Sequence, residues 1–182
     1  MPLPLTMTTS DVLRFISILA SAIHTGSQFS LSFVSGAALL ASPTADEATV
    51  LAQFRVIFRR GFVLCPPFAA IATLANLGNA FISWRSNDDG ASMALRFLLA
   101  GLCTASLIPF TLLFVVCSEG LLLEKAAERL GEGKRKTPSS AARTRDLIKE
   151  WARLNYLRTL FPLIGALVSY SARYETINKC RN

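Results

Sequence analysis

The sequence predicts an all-α, integral membrane four-helix bundle forming a single transmembrane domain over residues 1–182. Three observations lead there. Charged residues make up 17% of the chain and apolar ones 52%, with a mean hydropathy of +0.42, whereas soluble domains carry roughly 25% charge. The deficit is concentrated in long blocks, each near the ~20 residues a helix needs to cross a hydrocarbon core. Basic residues then cluster between the blocks, where they orient spans in a bilayer. A net charge of +7 would also suit nucleic acid. Yet no zinc spacing, RNP-like run or basic face with interleaved aromatics accompanies it, so no nucleic-acid partner is expected.

The first block, about Val12 to Ala41, opens "VLRFISILASAI". Those residues resemble the core of a signal peptide, but Arg14 is the only basic residue at their start and the apolar pattern continues beyond any cleavage point. A retained helix is the expectation. The second block, about Gly61 to Trp84, and the third, about Met93 to Cys117, are more apolar. The fourth runs from about Tyr156 to Tyr174. Pro66, Pro67, Pro109 and Pro162 fall inside these blocks, where packed membrane helices tolerate proline because neighbours satisfy the freed carbonyls. Lipid is therefore the expected solvent.

The connections alternate in charge. The first and third hold Arg55, Arg59, Arg60, Lys125, Arg129, Lys134, Arg135, Lys136, Arg143, Arg145, Lys149 and Arg153, twelve of the 19 basic residues. The positive-inside rule then places both termini on the non-cytoplasmic side of a multi-pass protein. An endomembrane such as the endoplasmic reticulum would be its location in a eukaryotic cell. The third connection contains two charged helices, "EGLLLEKAAERL" and "DLIKEWARLNYL", around a polar, mobile loop at about 131–146. Cys65, Cys103, Cys117 and Cys180 show no CxxC spacing, so neither a zinc site nor a disulfide framework is expected. No internal repeat is present, and the sequence does not set the oligomeric state.

Polar groups inside spans are costly and face the bundle interior or a cavity. Ser17, His24, Gln28 and Ser35 follow at seven, four and seven residues, one polar stripe on one helical face. His24, the only histidine, is either part of a hydrogen-bonded packing seam or a general base titrating near neutrality. Asn76 and Asn79 lie three apart in the second block and read as interhelical donors or substrate contacts. Glu119 closes the third block, either solvated at the boundary or acting as a base. Trp151, Asn155 and Arg158 share one face entering the fourth block. Trp151 fits an interface belt and Arg158 can snorkel, but an interface needs no amide at the depth of Asn155. Packing and a working site both account for it.

Cofactor motifs are missing. One histidine cannot build a two-His metal triad, and no dinucleotide fingerprint, P-loop, HExxH or GxSxG occurs.

Three stretches together resemble the anthrone oxygenase family of small membrane proteins: "RRGFVLCPPFAAIATLANLGNAF", "IPFTLLFVVCSEGLLLEKA" and "WARLNYLRTLFPLIGAL", with "GSQFSLSFVSGAALLASP" before them. The similarity covers nearly the whole chain in order. One departure is "CSEG", which puts Ser118 and Glu119 where the family carries an asparagine after proline. The resemblance implies a monooxygenase that converts a flat polyketide anthrone to an anthraquinone with molecular oxygen, in secondary-metabolite biosynthesis and without metal or flavin. It implies His24 or Glu119 as the base and Asn155 and Arg158 as holders of the oxyanion. Trp151 would stack on the rings, with Gln28 and Asn76 as further substrate contacts. The rival reading is a non-catalytic tetraspan scaffold or accessory subunit, whose polar stripes are helix seams.

Overall fold

A computed structural model describes residues 7–41, 45–86, 90–129, 131 and 141–179, with side chains of the last segment described over 143–172. It is all-helical, and no strand occurs among the described residues. The elements are α1 (Thr9–Ser30), a π-helical turn (Leu31–Ser35), α2 (Gly36–Leu40), α3 (Glu47–Trp84), α4 (Gly90–Ala105), α5 (Leu107–Phe110), a second π-helical turn (Thr111–Val115), α6 (Val116–Arg129), α7 (Ala141–Arg158) and α8 (Leu160–Lys179). End to end they make four helical runs. Two of these, Glu47–Trp84 and Gly90–Arg129, are long and apolar enough to cross a bilayer.

The helices outrun the apolar blocks. Residues 47–60, expected as part of a connection, are helical because Val50, Leu51 and Phe54 recur at helical spacing and are buried. Helix α7 begins at Ala141, inside the polar loop expected at 131–146. No glycine or proline interrupts "AARTRD", and Thr144 and Ile148 are buried one turn apart. Residues 132–140 of that loop, and Cys180, lie outside the described residues. Cys65, Cys103 and Cys117 are not in disulfides.

Two prolines set the breaks. Pro109 has no N–H for the Ala105 carbonyl, and the helix is interrupted at Ser106, whose hydroxyl bonds the Cys103 carbonyl instead (2.6 Å). Pro162 likewise cannot bond the Arg158 carbonyl. Helix α7 therefore ends at Arg158, and Pro162 falls in the first turn of α8, where it is tolerated.

The chain divides into two compact units, 1–24, 67–106 and 161–182 in the first, and 25–66 and 107–160 in the second. The first is packed with small and polar groups. Ala72, Ala75, Ala94, Ala100 and Ala172 are buried there beside Ser17, Asn76, Thr104 and Ser169. Ser17 Oγ donates to Asn76 Oδ1 (2.9 Å) and lies 3.4 Å from Ser169 Oγ, and the Asn79 amide meets the Ser10 hydroxyl at 2.9 Å. Small residues let the helix backbones approach closely, and the hydrogen bonds join them across the contact.

Gly165 marks a close approach between helices in that unit. A Cβ there would lie 2.5 Å from Thr104 Oγ1 and 2.9 Å from the Ala100 carbonyl oxygen. A backbone oxygen cannot swing away, so Gly165→Ala should cost ~1–3 kcal/mol by overpacking. Gly26 has nothing within 4 Å of its Cβ position, so Gly26→Ala should be neutral or stabilising by up to ~1 kcal/mol. Thermal unfolding of detergent-solubilised protein separates the two, and equal midpoints would contradict the close approach.

The second unit is built on larger side chains. Leu39, Val50, Leu51, Phe54, Val115, Leu122, Ala126, Ile148 and Trp151 form its buried cluster. The Phe54 and Trp151 rings meet edge to face at 5.1 Å and 81°, a geometry favoured by the ring quadrupoles. At one end, Lys125 Nζ donates to Thr144 Oγ1 (2.9 Å), Thr144 donates to Glu47 Oε1, and Arg129 pairs with Glu47 Oε2 (2.6 Å). That network ties the start of α3, the end of α6 and the start of α7.

Candidate functional site

Arg158 organises the second unit's polar centre. Its Nη2 donates to Gln28 Oε1 (3.0 Å) and to Asn155 Oδ1 (2.5 Å), and its Nη1 donates to Thr111 Oγ1 (3.2 Å). These acceptors come from α1, α7 and the second π-helical turn. All three are neutral, and no carboxylate among the described residues forms an ion pair with the guanidinium. Its Nε is buried with no acceptor among the described residues. A partly desolvated cation hydrogen-bonded to neutral oxygens keeps charge available to an incoming anion.

Asn155, fully buried, passes the network on. Its Nδ2 donates to the Trp151 carbonyl (3.1 Å), and Trp151 Nε1 donates to Glu119 Oε1 (3.2 Å). Glu119 is half-buried on α6. Arg158 and Glu119 lie close enough to feel each other's charge without forming an ion pair, and the buried Cys65 is in the same field. The result is a carboxyl group and a guanidinium held near each other, each hydrogen-bonded to its own neighbours and not to the other. Such a pair can take a proton at one end and stabilise negative charge at the other.

Of the residues singled out from the sequence, Gln28, Glu119, Trp151, Asn155 and Arg158 gather here, all within the second unit. His24 and Asn76 belong to the first unit. There Asn76 accepts from Ser17, and His24 is buried on α1, the last residue of that unit's first segment. Trp151 is 2% exposed, its ring against Phe54 and its N–H on Glu119. The indole is therefore committed within the protein.

Thr111 and Cys65 were missed. In the sequence Thr111 is a hydroxyl inside an apolar run, with no helical stripe to mark it. The stripe fails because the backbone changes pitch there: the Val116 N–H bonds the Thr111 carbonyl, an i→i+5 bond. The same happens in the first block, where the Gly36 N–H bonds the Leu31 carbonyl. Buried positions then fall at Gln28, Ser32 and Gly36, four apart, while Ser35, expected on the stripe, is only partly buried. Such π-helical turns are frequent at functional sites.

Comparison with known proteins adds an independent line. A family model described as anthrone oxygenase matches residues 54–168. An anthrone oxygenase of Paecilomyces divaricatus is 34% identical over 161 residues, covering 82% of this chain and 90% of its own length. An anthrone oxygenase of Aspergillus fumigatus is 28% identical over 176 residues, covering 90% and 94%. A noranthrone monooxygenase of Aspergillus flavus is 24% identical, covering 85% and 70%. No solved structure matches.

Proposed function

The chain belongs to the anthrone oxygenase family, and from that premise we propose that it oxidises a polyketide anthrone to an anthraquinone with molecular oxygen at the Arg158 centre. The observation that carries the placement is the half-buried guanidinium whose three hydrogen-bond partners are all neutral. An anthrone's central methylene is acidic because its anion is delocalised onto ring oxygens. Glu119 removes one methylene proton, and Arg158, steadied by Asn155, stabilises the charge that arrives on oxygen. The carbanion gives an electron to dioxygen, and the radical pair combines to a hydroperoxide at the former methylene carbon. Loss of the second hydrogen from carbon with cleavage of the O–O bond then yields the ketone and water. One methylene and one dioxygen become one carbonyl and one water, so the reaction balances without external reductant.

Bilayer integration belongs to the same reading. Leu74, Phe81, Leu112 and Leu113, all on the two long apolar runs, are more than 60% exposed. Four spans with both termini outside the cytoplasm fit the charge distribution of the connections. The test is aerobic incubation of carbonate-washed membranes with an anthrone and isotopically labelled dioxygen. One labelled oxygen in the new carbonyl, formed well above the spontaneous rate by the wild type and not by Asn155→Ala, is expected. A wild-type rate no faster than spontaneous oxidation would remove the enzyme reading and leave the scaffold.

A further inference from the structure

The oxyanion role just given to Arg158 raises the question of what aims its guanidinium. Two of its three hydrogen-bond acceptors, Gln28 and Thr111, lie beside or within a π-helical turn. Gln28 sits one turn before the first π-helical turn, and Thr111 is the first residue of the second. Thr111 is also oriented. Its hydroxyl donates to the Leu107 carbonyl at 2.7 Å, so its proton is spent and only a lone pair faces Arg158 Nη1. The Leu107 carbonyl lies two residues before Pro109, in the short helix α5 that follows the break at Ser106.

We propose that Thr111 is a positioning residue for the oxidation: with Gln28 and Asn155 it occupies the Nη fork of Arg158 and leaves the buried Nε–H as the donor to the substrate's phenolate-type oxygen. The inference rests on the anthrone-oxidising reading and adds the ligand's chemical class, a hydroxylated aromatic bound as its oxyanion. The fork is committed as follows: Nη1 to Thr111, Nη2 to Gln28 and Asn155. Nε is the guanidinium nitrogen that is buried without an acceptor among the described residues. A buried donor left unmatched costs free energy that a ligand oxygen recovers on binding. Because the three fork partners are neutral, they aim the group without spending its charge.

The experiment compares Thr111→Val with Thr111→Ser, each alone and in the Arg158→Ala background. Losing one charge-assisted hydrogen bond corresponds to about a tenfold rate effect or more. Thr111→Val should lower kcat about tenfold with KM nearly unchanged, since the oxyanion is strongest in the transition state. Thr111→Ser, which keeps the hydroxyl, should restore most of the loss. In Arg158→Ala the valine substitution should add nothing, because the group it aims is gone. A second readout needs no turnover: the pH at which a bound dihydroxyanthraquinone turns to its red-absorbing phenolate, in detergent-solubilised protein. Wild type should ionise the dye at lower pH than empty micelles do, and Thr111→Val should move that pH about one unit back. An unchanged kcat, an equal loss in both backgrounds, or dye ionisation identical to wild type would each overturn the positioning role. If wild-type membranes fail to oxidise anthrone yet the dye still ionises early in a Thr111-dependent way, the positioning stands and the oxygenase reading falls.

Discussion

Arg158→Ala is expected to lower quinone formation by about 10²–10³-fold, the range for removing a preorganised donor from a developing oxyanion. The protein should stay folded. Removing one member of a buried ion pair is severe because it strands a charge, but here the stranded partners would be Gln28 Oε1, Asn155 Oδ1 and Thr111 Oγ1, all neutral. Water can enter the vacated space and satisfy them. Arg158→Lys should recover little. An ammonium is a point charge on a flexible stem and cannot reach three acceptors and a ligand together. The measurement is kcat/KM on washed membranes with expression matched by quantitation of the membrane fraction. A wild-type rate in Arg158→Ala would place the oxyanion elsewhere in the chain.

The helical class and the outline of this centre were legible in the sequence for a physical reason. Trp151, Asn155 and Arg158 lie on one regular helix, α7, so simple periodicity put them on one face, and Asn155 had no role that an interface would require. Their partners were harder to find. Gln28 was on a visible stripe, but Ser35 was wrongly extended from it, because the stripe crosses a π-helical turn that resets the pitch. Thr111 was invisible for the same cause. Trp151 looked like a stacking platform because aromatic residues near a span usually face lipid headgroups or ligands. Only the fold shows Phe54 across its ring edge and Glu119 on its N–H. Periodicity also gave no means of choosing between His24 and Glu119, since that depends on which helices approach which.

The remaining large effect concerns that choice. Glu119→Gln should lower kcat about 10²–10⁴-fold, the usual contribution of a positioned general base. Glutamine is the informative substitution because its carbonyl oxygen can still accept from Trp151 Nε1, so the network to Asn155 survives and only proton acceptance is lost. Trp151→Phe does the opposite. It keeps a ring against Phe54 and removes the N–H that fixes Oε1, so it should cost less, about tenfold. Deuterating the anthrone methylene supplies the readout: a primary isotope effect is expected wherever proton removal limits the rate, and Glu119→Gln should enlarge it or leave it at full size. His24→Ala is the comparison that decides. His24 lies in the unit where Ser17, Asn76 and Ser169 form a seam of small and polar groups, so its removal should lower the melting point more than the rate. The reverse pattern, a collapsed rate in His24→Ala with normal turnover in Glu119→Gln, would transfer the base to the histidine and reduce the Trp151–Glu119 bond to a packing contact.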